Sequence, residues 1–196
     1  MIRDSRRIAL ALAPLALLSA GAASAHAGHE PGAGGLLAGL LHPLSGMDHL
    51  LALVAIGLWS VRQSRSLGWV VPGLAAGGML LGAGLAWGGL FLPGVETGIA
   101  LSVLLSGLLL ATLVRLPAQI GAMLVVTFLV FHGQAHAVEM PVGASLLAYL
   151  AGFLLATLGL GQLGRAFGQA LATRVPYLER MVGALVALAG GMQIMG

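Results

Sequence analysis

An all-α membrane protein with six transmembrane helices is the fold class that this sequence predicts, and three observations predict it. The composition is 59% hydrophobic and only 8% charged, whereas a soluble domain carries about 25% charged residues. The chain contains six apolar runs, each near the ~20 residues that a helix needs to cross a bilayer. Its arginines fall in alternate connections between those runs. The 31 glycines fit the same class, because small residues let helices approach closely in lipid.

Residues 1–25 read as a secretory signal peptide that is cleaved. Arg3, Arg6 and Arg7 form its positive end, residues 8–20 its short apolar core, and Ala23-Ser24-Ala25 the cleavage motif. Cleavage exposes a periplasmic tail, residues 26–35, in which a free α-amine joins His26, His29 and Glu30. This set is a candidate capture point for a metal ion at the entrance. The six-helix domain then spans 36–196, with apolar runs at 36–61, 67–90, 94–114, 118–137, 142–163 and 177–195.

Charge orients the domain. Arg62 and Arg65 lie in the first loop, Arg115 in the third, Arg165 and Arg174 in the fifth, and Arg180 opens the last run. The second and fourth loops carry no arginine. The positive-inside rule makes the odd loops cytoplasmic, which puts both mature termini in the periplasm of a bacterial inner membrane. The sequence pI near 10.6 does not signal nucleic-acid binding. Beyond the leader, six arginines face five acids, a net of +1, and no basic patch remains. Cysteine is absent, which excludes disulfides, thiolate metal sites and CxxC redox chemistry.

Ionisable groups inside membrane spans are costly and mark cavities, pathways or mutual pairing. Two clusters stand out. His42, Asp48 and His49 lie in the outer half of the first run. His132, His136 and Glu139 lie at the outer end of the fourth, and Glu96 opens the third from the same side. Four intramembrane histidines and three acids thus share one depth. His132, His136 and Glu139, spaced four and three, share a helix face. His42 and His49, seven apart, lie about 20° from one another on an unbroken helix. Pro43 and Gly46 predict a kink or a late helix start. Asp48 is placed either to orient His49 or to bind metal itself.

Histidine with carboxylate and no thiolate suits borderline divalent metals such as Zn, Ni, Co, Fe or Cu(II). The eight methionines are scattered and read as packing or lipid-facing residues. Ser102, Ser106 and Thr112 read as hydroxyls bonded back to their own helix.

His42-Pro43-x-x-Gly46-x-Asp48-His49 and Phe131-His132-Gly133-x-Ala135-His136-x-x-Glu139 resemble the two signatures of the HupE/UreJ family of nickel permeases. Ala137 stands where the second signature has glycine. Glu96 falls where the family has an acid in the third span. The resemblance covers the whole mature chain. It implies secondary transport of Ni²⁺ into the cytoplasm for hydrogenase or urease assembly, with Ni²⁺ as substrate and no resident cofactor. The metal-ligand set is then His42, Asp48, His49, Glu96, His132, His136 and Glu139.

A permease that is not an enzyme is therefore the leading expectation. Its partners are a divalent metal ion and the lipid bilayer, with no nucleic acid. Assembly into a homo-oligomer stays open. No GxxxxGK[ST] motif is present, so transport does not use ATP bound by this chain. The rival readings are an intramembrane metal-dependent hydrolase using the same ligands and a haem-binding subunit with axial histidines. The absence of HExxH counts against the first, and the neighbouring acids count against the second.

Overall fold

In hydrocarbon a backbone must satisfy its own N–H and C=O groups, so an apolar run that enters a bilayer folds as a helix or joins a closed barrel. The computed structural model describes residues 34–172 and 175–195. Among the described residues the chain is all-helical, without strands. The helices are α1 (Gly34–Ser45), α2 (Met47–Ser60), α3 (Arg65–Trp87), α4 (Val95–Thr112), α5 (Ala118–Val138), α6 (Leu146–Ala172) and α7 (Pro176–Met195). Five of these, α3 to α7, are long and apolar enough to cross a membrane. The pair α1 and α2 makes a sixth if it is counted as one bent span. The leader and the tail histidines, His26 and His29, lie outside the described residues.

The first apolar run departs from a single straight span. Its two helices meet at 76°. The break falls at Gly46, which takes an extended conformation with φ −80° and ψ 112°, while Pro43 sits inside α1. Proline removes one ladder bond, but the change of direction comes one turn later. Ser45 closes the end of α1 by donating from its hydroxyl to the His42 carbonyl at 2.9 Å.

The fifth run also differs from its sequence boundary. Helix α6 continues to Ala172 and carries Arg165 within it, where a loop is expected after residue 163. The charge is tolerated because it does not face lipid. Arg165 donates to the Gly68 carbonyl and to Ser60 Oγ at 3.4 Å, and its guanidinium lies 5.0 Å over the Trp69 ring. With the cation satisfied, Gly164, Gly168 and Leu171 remain buried and the helix extends over them.

The bundle is built from three principal pairings: α3 with α5, α4 with α7, and α6 with both α1 and α2. These pairings are unchanged when the first three spans are exchanged in order with the last three, as an inverted repeat requires. Glycine sets the α3–α5 distance. A Cβ on Gly133 would lie 2.1 Å from the Met79 carbonyl oxygen, and one on Gly82 would lie 2.0 Å from that of Val130. The two backbones therefore touch directly, a packing mode favoured in lipid.

The ends of the bundle differ. At the end where α2 finishes, Arg62 donates to Glu179 at 2.9 Å, and Glu179 is only 1% exposed. Gln63 accepts from the Leu116 backbone N–H and donates to the Val114 carbonyl, both at 3.0 Å. Between this arginine-rich end and the histidines lies an apolar core that includes Leu53, Ile56, Trp59, Val103, Leu110 and Leu129. Met79 packs in the same core, as read for the methionines.

Replacing Gly133 by Ala should separate α3 from α5 and cost about 1–3 kcal/mol, the usual range for overpacking. Gly77 on α3 has nothing within 4 Å of where its Cβ would stand, so Gly77→Ala should leave stability unchanged or raised. Thermal unfolding of both variants in detergent checks this, and equal stability of the two would contradict the packing described.

Candidate metal site

Three elements bring the histidines together. The bend at Gly46 turns α1 against the start of α2, and the last turns of α5 carry His132, His136 and Glu139 to the same place. The ring centroids of His42 and His136 lie 4.6 Å apart, those of His49 and His136 4.2 Å, and those of His49 and His132 4.3 Å. His42 and His49 are 6.4 Å apart. Their closeness comes from the bend and not from a shared helix face, because the 20° relation between them holds only along an unbroken helix. The α5 relation holds as expected: His132 and His136 are both fully buried on one side of the helix, and Glu139 caps its end.

The cluster is graded from solvent inward. A cavity of about 270 Å³ opens at this end and is lined by His42, Asp48, His49, Glu96 and Glu139 among others. Glu139 is the most open of the bonded groups, with 52% of its side chain exposed, and His42 retains 30%. His49 is buried at 4%, and His132 and His136 at 0%. Glu96, Glu139, His42 and Asp48 thus stand toward the mouth, and His49, His132 and His136 lie behind them. Glu96, exposed in the first turn of α4, lines the mouth without a hydrogen bond to the cluster among the described residues.

Carboxylates hold two of the rings. His42 Nε2 lies 2.5 Å from Glu139 Oε2, joining the two sequence clusters across the site. Asp48 Oδ1 accepts from the His49 backbone N–H at 2.8 Å and faces His49 Nδ1 at 3.0 Å. A carboxylate accepts, so His49 carries its proton on Nδ1 and presents the Nε2 lone pair. Asp48 therefore orients His49, one of the two roles its position allowed. His49 Nε2, His132 Nδ1 and both nitrogens of His136 are buried with no hydrogen-bond partner among the described residues. Such groups ordinarily cost about 1–3 kcal/mol each when left unpaired.

Those unpaired nitrogens are the chemistry of the site. Neutral imidazoles packed against one another, with carboxylates beside them, are the donor types that suit a borderline divalent cation. His42, His136 and Glu139 each offer a ligand atom, and these atoms lie within 4.8 Å of one another.

Several supporting residues are not apparent from the motifs. Phe153 on α6 stacks on His136 with centroids 5.4 Å apart, and Tyr149 donates its hydroxyl proton to the His136 carbonyl at 3.0 Å. Gln134, buried between the two α5 histidines, donates to the Leu90 carbonyl at 2.7 Å and accepts from the Leu92 N–H at 2.8 Å. It ties the connection that leads to Glu96 onto α5. A polar residue in an apolar span was the available signal for Gln134, whereas Phe153 and Tyr149 give none in sequence. Ser102, Ser106 and Thr112 all bond back to their own helix, as expected. Ser102 also reaches His132 Nε2 at 2.7 Å.

The architecture and site can now be set beside known proteins. The family model described as "HupE / UreJ protein" matches residues 14–193. The chain is 41% identical to the protein named "Protein HupE" of Rhizobium leguminosarum bv. viciae, over 97% of this chain and 98% of that one. No solved structure matches the chain. With the family model and a relative both spanning nearly its full length, the chain is a membrane protein that belongs to the HupE/UreJ family.

Proposed function

We propose that this protein is a permease for a divalent transition metal, with Ni²⁺ as the preferred substrate, taken up across the bacterial inner membrane for hydrogenase or urease maturation. One observation carries the reading: the buried rings of His49, His132 and His136 cluster with four ring nitrogens that have no hydrogen-bond partner among the described residues, beside an open mouth lined by Asp48, Glu96 and Glu139. Family membership supports transport, and the resemblance of the two motifs to nickel permeases supports the choice of metal. The gathering of Arg62, Arg65 and Arg180 at the end away from the histidines supports an outward-facing site with periplasmic termini.

The ion meets Glu96 and Glu139 first, where negative charge lowers the cost of shedding water. It then replaces the proton held between His42 and Glu139, and passes to His136, His49 and His132. His26 and His29 on the tail add a capture step before the mouth. Further inward, the apolar core and the Arg62–Glu179 pair close the bundle, so transit requires that half to open. Irving–Williams ordering favours copper at such ligands, and selectivity for nickel rests on geometry. The chain acts as a carrier and not as an enzyme, and it moves its substrate without ATP of its own.

Radionickel uptake in cells expressing His49→Ala or His132→Ala should fall at least about tenfold at equal expression. Unchanged accumulation would contradict the assignment. Metal ions and protons compete for neutral imidazole, because imidazolium has no lone pair to donate. Uptake by the unaltered protein should therefore decline as the medium is acidified, and an uptake rate that rises with acidity would contradict this competition.

A further inference from the structure

His132 is fully buried, and its two ring nitrogens have different surroundings. Nε2 lies 2.7 Å from Ser102 Oγ. Nδ1 has no hydrogen-bond partner among the described residues and belongs to the ring that meets His49 at 4.3 Å. Which nitrogen carries the proton decides which one can bind a metal ion. A buried ring with no constraint would present the wrong nitrogen part of the time.

The serine removes that freedom. Its Oγ also lies 2.7 Å from the Ile99 carbonyl oxygen, three residues back on α4. A carbonyl only accepts, so the single hydroxyl proton must occupy the Ser102–Ile99 contact. Turning it toward His132 would leave two oxygens facing each other at 2.7 Å with no proton between them. With the proton so placed, a serine lone pair faces His132 Nε2, and that nitrogen must be N–H. The chain of donation runs from His132 Nε2–H to Ser102 Oγ–H to the Ile99 carbonyl. Ser102 is itself 0% exposed, so solvent does not compete for these contacts.

We propose that Ser102 is a positioning residue that locks His132 in its Nε2–H tautomer and so presents Nδ1 to the transported metal. Asp48 holds His49 in the opposite tautomer, with the proton on Nδ1 and the lone pair on Nε2. The two rings thus face the ion through different nitrogens, one set by a carboxylate and one by a hydroxyl. A neutral serine does this without placing another charge in the buried part of the site. The consequence for metal binding rests on the permease reading, whereas the tautomer itself does not.

The experiment uses full-length protein in nanodiscs with ¹⁵N-labelled histidine. Two-bond ¹H–¹⁵N correlations of the metal-free protein read each tautomer, and titration with Ni²⁺ reads affinity. The unaltered protein should show His132 protonated on Nε2. Ser102→Ala should mix the tautomers and weaken Ni²⁺ binding by about 10–100-fold, the usual effect of losing a partner that orients a ligand. Ser102→Thr, which keeps the hydroxyl and its back-bond, should restore both.

A His132 proton on Nδ1 in the unaltered protein would overturn the proposal, and that measurement stands even if Ser102→Ala does not fold. Weaker binding in Ser102→Ala with the tautomer unchanged would also overturn it, because the serine would then act by packing alone. An unaltered protein that shows the Nε2–H tautomer but binds no Ni²⁺ would instead refute the permease reading.

Discussion

Buried imidazole nitrogens without hydrogen-bond partners among the described residues are the constraint that the rest of this structure answers. A polar atom taken out of water and left unpaired costs free energy, and this chain concentrates four such atoms where His49, His132 and His136 meet. The surrounding structure does not relieve that cost; it maintains it. Asp48 pins His49, Tyr149 and Phe153 hold the His136 segment, and Ser102 occupies one side of His132. Rings so restrained stay packed against one another, His49 with its centroid 4.3 Å from that of His132 and 4.2 Å from that of His136. A neutral imidazole has a single lone pair, so a cation bound there would take at most one nitrogen from each ring and offset part of the cost of burying them.

The scaffold supplies what this arrangement needs. A straight first span would carry His42 and His49 on one face, about 10 Å apart along the axis at 1.5 Å per residue. The break at Gly46 folds that distance down, so that their rings lie 6.4 Å apart. Backbone contact between α3 and α5 through Gly82 and Gly133 keeps α5 fixed beneath them. Gln134 fastens the adjoining connection, and Glu96 at the start of α4 faces the same cavity. At the far end the Arg62–Glu179 pair and the satisfied Arg165 tolerate charge in a bundle that is otherwise apolar. One end is thus polar and open while the other is tied shut, an asymmetry suited to a protein that admits an ion from one side at a time.

Much of this was legible in the sequence because hydrocarbon permits few exceptions. Apolar length alone located the spans, and the four histidines were conspicuous because an ionisable group in such a run needs a reason. The coming together of the two clusters followed from depth, and the His42–Glu139 contact realises it. Other features were not legible. Arg165 looked like a loop residue because its partners, the Gly68 carbonyl and Ser60, come from distant parts of the chain. Ser102 looked like an ordinary helical hydroxyl, and it is one, but the same oxygen also serves a ring thirty residues away. The angle at Gly46 depends on what α1 packs against, which a motif does not record. Periodicity therefore locates elements and depths, whereas second partners and bend angles arise from packing between elements.

The central claim is that imidazoles from the first span and from α5 bind one metal ion together. X-ray absorption spectroscopy on purified protein loaded with one equivalent of Ni²⁺ tests it most directly. The account predicts outer-shell scattering from several imidazole rings, reduced by removing either His49 on α2 or His136 on α5. A shell of oxygen atoms alone, unaltered by either substitution, would contradict it.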